Sequence, residues 1–226
     1  MATRRDAGRT TGRTYDQFCG VAAALDVVGN RWSLLVIREL LDGPKRYTDL
    51  LDGLPGIPTD VLAARLREFE EAGLVERDVL PPPAASRVYR LTEIGRDLEP
   101  AIVALARWGL RRLPSQGPAA FKPSWLAVAL KALFRPETAQ GLSTTVDVVV
   151  AGDRLRVAID HGTLSFDHHP TGEPDAVIEA DPRTLLTAAI DAGAAATALA
   201  RGTLRVTGDP DALTAIQESF SLAPAS

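Results

Sequence analysis

The order of the elements predicted in the first half of the chain constrains the fold more than any other feature of the sequence. Apolar residues recur at helical spacing in four consecutive segments, which predict helices at 15–28, 31–41, 47–51 and 59–72. Asn30 and Thr59 stand where the N-caps of the second and fourth helices are expected. The glycines and prolines between these segments predict turns.

A predicted β-hairpin follows the four helices. The segments 74–79 and 87–91 alternate like strands, and Pro81-Pro82-Pro83 between them favours an extended loop. A helical region at 92–113 comes next and bends or restarts at Pro100. This order is typical of a winged helix-turn-helix, whose longer helix is narrow enough to enter a DNA major groove. The alternative is a plain helical bundle that carries a hairpin.

The second half of the chain predicts a sheet packed with helices. Strands are expected at 144–150, 154–159, 163–166, 176–179 and 204–207, and helices at 124–134, 182–191 and 210–220. The segment 194–200 consists of small and apolar residues. The fold class predicted for the whole chain is therefore α+β. We expect a flexible basic arm at 1–14, a winged helix-turn-helix at 15–113, a linker with an apolar helix at 114–141 and a second domain at 142–226.

Several motifs of the first half resemble those of the HxlR-type family of winged-helix transcriptional regulators. They are LDVVGNRW at 25–32, GPKRYTDL at 43–50, GIPT at 56–59, LAARL at 62–66, GLVER at 73–77 and YRLTEIG at 89–95. The resemblance implies a DNA-binding homodimer whose first and last helices pair across a two-fold axis. The dimer residues expected on this basis are Phe18, Val21, Leu25, Ile102, Leu105 and Trp108, although the last three would serve equally as core residues.

The residues expected to contact DNA lie on the 59–72 helix, just before the third helix and on the hairpin. They are Lys45, Arg46, Thr59, Asp60, Ala63, Arg65, Arg67, Arg87 and Arg90. Arg67 and Thr59 are the candidates for base edges, because arginine reads guanine through two hydrogen bonds. Arg65 is placed either to contact phosphate or to bridge to an acidic neighbour. Asp60 either accepts from cytosine or stabilises the helix N-terminus.

Cys19 occupies the position at which many members of that family have a cysteine, although Gly20 replaces the proline that commonly follows it. Some members use this thiol to sense oxidants or electrophiles. A reactive cysteine needs a lowered pKa and access to solvent. The alternative is a packed, unreactive residue.

The second half resembles the sterol-carrier-protein-2-like fold, chiefly in ARGTLRVTGDPDAL at 200–213 and the helix that precedes it. The resemblance implies an apolar ligand held between the sheet and the helices. The expected pocket residues are Leu126, Leu130, Phe134, Val146, Val148, Phe166, Leu185, Ala189, Leu199 and Phe220. Small residues such as Ala188 and Ala189 would leave the volume for it, because an unfilled apolar gap is costly. Close packing of helices on the sheet without a cavity is the alternative.

Composition excludes several other classes. Residues 1–113 carry 17 Lys/Arg against 16 Asp/Glu, and residues 114–226 carry 8 against 13, so a polyanion is expected to contact the first half. The single cysteine and the lack of a signal-like or spanning apolar run predict a cytoplasmic protein with no membrane contact. Neither a metal-binding motif nor a cofactor fingerprint occurs, and no acid/base pair suggests an enzyme.

The sequence therefore predicts a regulator that binds a two-fold DNA operator as a homodimer and that needs neither cofactor nor metal. A small apolar ligand in the second domain would tune its affinity for DNA. The alternative is a thiol-based regulator in which Cys19 is the sensor and the second domain is only structural.

Overall fold

The computed structural model describes residues 14–83, 85–113 and 121–222. The chain divides into two compact units, 1–99 and 100–226. The predicted arm, apart from Thr14, and the predicted linker segment 114–118 lie outside the described residues.

The first unit contains four helices, an antiparallel hairpin and a short fifth helix. They are α1 (Gly20–Val28), α2 (Ser33–Leu41), α3 (Tyr47–Gly53), α4 (Thr59–Glu71), β1 (Val75–Val79), β2 (Arg87–Leu91) and α5 (Glu93–Arg96). The long helix α4 buries Leu62, Leu66 and Phe69, whose i, i+4, i+7 spacing places them on one face. The element order confirms the predicted winged helix-turn-helix.

Three helix starts differ from the sequence prediction. Helix α1 begins at Gly20 rather than Tyr15, because Asp16 takes a left-handed conformation with φ 52° and the N-cap Cys19 is extended. Helix α2 begins two residues later than expected, because its N-cap is Trp32 in the left-handed region with φ 77°. Thr59 is the first residue of α4 and Pro58 is its N-cap.

The second unit is a five-stranded sheet with helices. Its elements are α6 (Glu99–Leu110, which starts at the last residue of the first unit), α7 (Pro123–Leu133), a 3₁₀ turn (Pro136–Thr138), β3 (Ser143–Val150), β4 (Asp153–Asp160), β5 (Thr163–Asp167), β6 (Ala176–Ala180), α8 (Pro182–Ile190), α9 (Ala192–Arg201), β7 (Leu204–Gly208) and α10 (Pro210–Ser219). The strand order is β5-β4-β3-β6-β7, with β3 and β6 parallel and every other pair antiparallel. This architecture confirms the α+β prediction.

The two faces of β3 have different chemistry because side chains alternate along a strand. Val148 faces the main core and Val146 lies on the same face in a smaller apolar cluster with Ala176 and Ala212, whereas Asp147 between them is fully buried on the opposite face. The Asp147 carboxylate accepts from Arg156 Nε at 2.7 Å and from Arg154 at 3.1 Å. Arg156 also donates to the Thr171 carbonyl at 2.6 Å, so the same cluster holds the loop between β5 and β6.

Candidate DNA-binding surface and ligand cavity

The face of α4 opposite its buried residues carries the predicted base-contacting side chains. Thr59, Asp60 and Arg67 are exposed, and Ala63 is half-buried. The Tyr47 hydroxyl donates to the Thr59 carbonyl at 2.7 Å, which fixes α3 against the first turn of α4. The first turn of a helix favours anions because its N–H groups lack partners within the helix. Helix α4 therefore offers two groups that could contact DNA, the Arg67 side chain and the N–H groups of its first turn.

Several of the predicted DNA-contacting cations are engaged with carboxylates of the same unit. Lys45 Nζ lies 2.6 Å from Asp42. Arg46 lies 3.0 Å from Asp49, and this pairing raises the pKa of Arg46 and lowers the pKa of Asp49. Each cation would have to exchange its carboxylate for phosphate in order to bind DNA.

Arg90 on β2 has two acidic partners, Glu76 at 2.8 Å and Asp78 at 3.0 Å. Arg65 is largely buried on α4, with its side chain 15% exposed, and its Nη1 lies 2.5 Å from a Glu68 oxygen. That contact is an ion pair by distance, although its geometry leaves Nε and Nη1 of Arg65 without a hydrogen bond. The structure thus places Arg65 beside an acidic neighbour rather than on the exposed face.

Arg67 and Arg87 differ from the other predicted cations. Both are exposed, and neither forms an ion pair within the part of the chain that the structure describes. The Arg67 Nε lies 3.4 Å from the Ala63 carbonyl of the same helix. A guanidinium without a carboxylate partner binds a base edge or a phosphate without first losing an ion pair.

Cys19 is the N-cap residue of α1 and is exposed. The backbone N–H groups of Ala22 and Val21 in the first turn of α1 lower the pKa of its thiol. The segment thus combines the two properties that a reactive thiol requires, a lowered pKa and access to solvent.

Two exposed apolar surfaces correspond to the predicted dimer residues, and each belongs to a different unit. In the first unit, Phe18, Val21 and Leu25 are exposed. In the second unit, Leu105 and Trp108 are exposed on α6, and the Arg112 guanidinium lies 4.4 Å from the Trp108 ring centroid.

Ile102 is the exception among the predicted dimer residues, because it is buried within the chain. At 3.6 residues per turn, Ile102 and Trp108 point about 120° apart on α6. The predicted dimer residues of α6 therefore lie on two faces of the helix, and Ile102 is a core residue rather than a surface residue.

A cavity of about 190 Å³ lies between the sheet and the helices of the second unit. The sheet forms its floor through residues that are paired across adjacent strands. Val148 of β3 pairs with Ile178 of β6, and Ile178 pairs with Val206 of β7. Val146 and Val157, another register pair, extend the floor across β3 and β4.

Helices and the segment after α10 complete the wall of the cavity. The helical wall consists largely of small or aliphatic residues, including Leu185, Ala188, Ala189, Ala195 and Leu199, while Leu130, Ile216, Gln217 and Phe220 close the remaining sides. Phe220 packs against Phe134 with ring centroids 5.6 Å apart. The alanines of α8 and α9 create the space, since larger side chains would fill it.

Most of the predicted pocket residues lie on this wall: Leu130, Val146, Val148, Leu185, Ala189, Leu199 and Phe220. Leu126, Phe134 and Phe166 instead pack elsewhere in the same apolar cluster. Val157, Ile178 and Val206 also line the wall and were not predicted, although their alternation with outward-facing residues is visible in the sequence. Ala195, Leu204, Ile216 and Gln217 were not predicted either, because their spacing alone does not reveal that they converge.

The described residues contain no group of three or more His, Cys, Asp or Glu side chains that could hold a metal ion. None of the described helices is by itself long and apolar enough to cross a membrane. Helices α1 and α2 are long and apolar enough only when taken together, and the chain bends by 83° between them.

Comparisons with known proteins match each half of the chain to a family. Residues 27–116 match the family described as HxlR-like helix-turn-helix, and residues 129–221 match the SCP-2 sterol transfer family.

Several curated relatives match about two fifths of this chain. A regulator of Synechocystis sp. named an uncharacterized HTH-type transcriptional regulator is 41% identical over 40% of this chain and 67% of its own length. A similarly named protein of Mycobacterium tuberculosis strain H37Rv is 46% identical over 43% of this chain and 62% of its own. The HTH-type transcriptional regulator YodB of Bacillus subtilis is 38% identical over 38% of this chain and 77% of its own. The solved reduced form of YodB superposes with a TM-score of 0.38 at 33% identity, over 45% of this chain and all of that one.

Proposed function

Because this chain belongs to the HxlR-like helix-turn-helix family and carries a C-terminal SCP-2-type domain, we propose that it is a DNA-binding transcriptional regulator. It binds a two-fold operator as a homodimer and places α4 in the major groove. The observation that carries this proposal is the exposed face of α4, on which Arg67 has no ion-pair partner among the described residues. The proposed role is regulatory binding without catalysis.

The proposal divides the cations of the first unit into two groups. Arg67 reads a base edge and Arg87 on the hairpin contacts backbone or the minor groove, because both are exposed without ion pairs in the described chain. Lys45 and Arg46 approach phosphate only after leaving Asp42 and Asp49. Arg65 is largely buried and pairs with Glu68 on the same helix, so it is assigned a structural role in α4 rather than a DNA contact.

Replacing Arg67 with alanine tests the proposed recognition role. We expect operator affinity to fall by about 5–150-fold, the equivalent of roughly 1–3 kcal/mol for a lost base contact, and sequence preference to relax at one position of each half-site. The measurement is fluorescence anisotropy on an operator selected from random-sequence DNA, followed by substitution of each base pair.

Arg96→Ala is the matched control for Arg67→Ala, because it removes an exposed arginine from α5 rather than α4. It is expected to change operator affinity less than about twofold. Equal losses from both variants, with unchanged base preference, would assign Arg67 to general electrostatic attraction and contradict the proposed readout.

The proposal also assigns the cavity a regulatory role: an apolar ligand in the second unit tunes DNA affinity. A ligand shifts such an equilibrium only if it binds the DNA-competent and incompetent states differently. The contacts of α6 supply a route. Arg107 donates to the Ser221 carbonyl at 3.2 Å, and Arg111, just after α6, donates to the Leu222 carbonyl at 2.7 Å. Those carbonyls directly follow Phe220, which lines the cavity.

The matched HxlR-like region ends at residue 116 and therefore includes α6. A ligand that displaces Phe220 would pull on the 221–222 segment and hence on α6. Helix α7 provides a second contact with the cavity through Leu130. Both helices are thus proposed to carry the response from the cavity to the DNA-binding half.

A second candidate function is supported by Cys19, whose thiol is exposed and has a lowered pKa. Its thiolate would attack a peroxide oxygen to give a sulfenic acid and release hydroxide. The thiol of Cys19 of the partner subunit would then displace water to form an intermolecular disulfide. In this case the second unit only braces the dimer.

A Cys19→Ser variant separates the two candidates. If the cavity is the sensor, the variant keeps its full response to an apolar ligand. If the thiol is the sensor, the variant loses the change in operator affinity that hydrogen peroxide causes in the parent protein. Non-reducing electrophoresis and anisotropy, measured on both proteins, report the disulfide and the DNA affinity.

A further inference from the structure

The cavity of the second unit defines a ligand class, an inference that rests on its proposed role as the sensor site. We propose that it binds a small uncharged molecule of about one ring, with at most one polar group, and that it excludes a sterol. Three properties of the wall carry this inference: its volume, its lack of charge and the position of its single polar side chain.

The volume sets the size. A cavity of about 190 Å³ is only slightly larger than the ~150 Å³ apolar cavity that holds benzene. It is smaller than the roughly 300–1,000 Å³ of sites that enclose drug-sized molecules. A fused-ring sterol is too large to be enclosed in this volume without displacement of the residues that line it.

The wall sets the charge of the ligand. No Lys, Arg, Asp, Glu or His lines the cavity among the described residues. Moving an ion into such surroundings without a partner is strongly unfavourable. Lys131 is adjacent in sequence to the lining residue Leu130, but its ammonium group lies 5.8 Å from the Phe166 ring centroid, and Phe166 is not part of the wall. A carboxylate such as that of a fatty acid therefore has no counter-ion in the wall.

Gln217 sets the orientation. It is the polar residue of the described wall, and like Leu199 it is exposed, so these two residues mark where the cavity meets solvent. A ligand with one hydroxyl or carbonyl group would direct it towards Gln217 and keep its apolar body against the valines of the sheet. Gln217 is thus the proposed specificity-determining residue.

The test uses four probes with the whole 226-residue chain: p-cresol, toluene, p-toluate and cholesterol. Isothermal titration calorimetry is expected to detect p-cresol and toluene, with p-cresol the tighter, and no binding of p-toluate or of cyclodextrin-delivered cholesterol. Gln217→Leu is expected to weaken p-cresol by about 2–10-fold, the value of one hydrogen bond, while toluene is unaffected. Binding of cholesterol or p-toluate, or of no probe at all up to millimolar concentration, would overturn the inference.

Filling the cavity gives the matched comparison. Ala195→Leu places a larger side chain in the wall, whereas Ala196→Leu adds the same atoms at the exposed neighbouring position of α9. We expect the first to weaken p-cresol at least tenfold, and the second less than twofold. If Ala195→Leu does not fold, Ala189→Val on α8 makes the same test with a smaller side chain. Equal affinity in the filled and control variants places the ligand elsewhere.

The same experiment separates this inference from the proposed function. If p-cresol binds but leaves operator affinity unchanged, the ligand class stands and cavity-based regulation fails. If cholesterol binds and alters operator affinity, regulation stands and the ligand class fails.

Discussion

A protein that carries Phe18→Asp and Val21→Asp is expected to be monomeric and to bind its operator about 10²–10⁴-fold more weakly. Both apolar side chains are fully or largely exposed in the single chain, a costly arrangement unless a partner covers them. When one subunit of a dimer is bound, the other subunit is held at high effective concentration near the second half-site. A monomer lacks this gain in affinity. Light scattering after size exclusion reports the mass, and anisotropy on the selected operator reports the affinity.

Ala23→Asp is the control for the dimer variant. Ala23 is exposed on α1, about 200° around the helix from Val21, so it adds the same charge to another face. This control is expected to remain dimeric with operator affinity within about twofold of the parent protein. A double variant that stays dimeric and binds normally would remove this surface from the interface.

A protein that carries Arg107→Ala and Arg111→Ala is expected to bind DNA and ligand normally but to lose the link between them. In the parent protein, we expect saturating p-cresol to change operator affinity by about 5–150-fold, the usual range of a coupling free energy. In the variant the change should fall below about twofold, because the contacts from α6 to Ser221 and Leu222 are gone. Calorimetry gives the p-cresol affinity and anisotropy gives the operator affinity with and without it.

Arg112→Ala provides the comparison for the coupling variant. Arg112 follows Arg111 directly, but its guanidinium lies over the Trp108 ring instead of reaching the 221–222 carbonyls. It should keep the full p-cresol response. A response that survives in the double variant would assign coupling to α7 alone, and a loss of p-cresol binding would show that the two arginines shape the cavity instead.

Local patterns were sufficient for most of the fold. The i, i+4, i+7 apolar spacing on α4 and the alternation of β3 and β4 identified those elements, because burial of one face imposes the period of the element on the sequence. The starts of α1 and α2 were missed for conformational reasons. Asp16 and Trp32 take left-handed conformations, which the helical spacing of apolar residues does not reveal.

The candidate DNA-binding residues show the limit of sequence reasoning more sharply. The sequence predicts DNA contacts for Lys45, Arg46, Arg65, Arg67, Arg87 and Arg90, favours Arg67 for a base edge, and leaves Arg65 open between phosphate and an acidic neighbour. Only the folded chain distinguishes Arg67, exposed without an ion pair among the described residues, from Arg65, which is turned towards Glu68. The difference arises because successive positions on a helix lie about 100° apart, so charge availability depends on what packs beside each turn.

The element order, the two family resemblances and the apolar character of the second unit follow from the amino-acid sequence alone. These properties can be predicted because they depend on the periodicity and composition of each segment, which do not require knowledge of the rest of the fold. Three properties depend on the folded chain: which cations lack ion pairs among the described residues, the burial of Ile102, and the convergence of Ala195, Ile178 and Gln217 on one cavity. Strand register and helix packing decide which distant residues come together. A cavity remains where the side chains that these elements bring together do not fill the space between them.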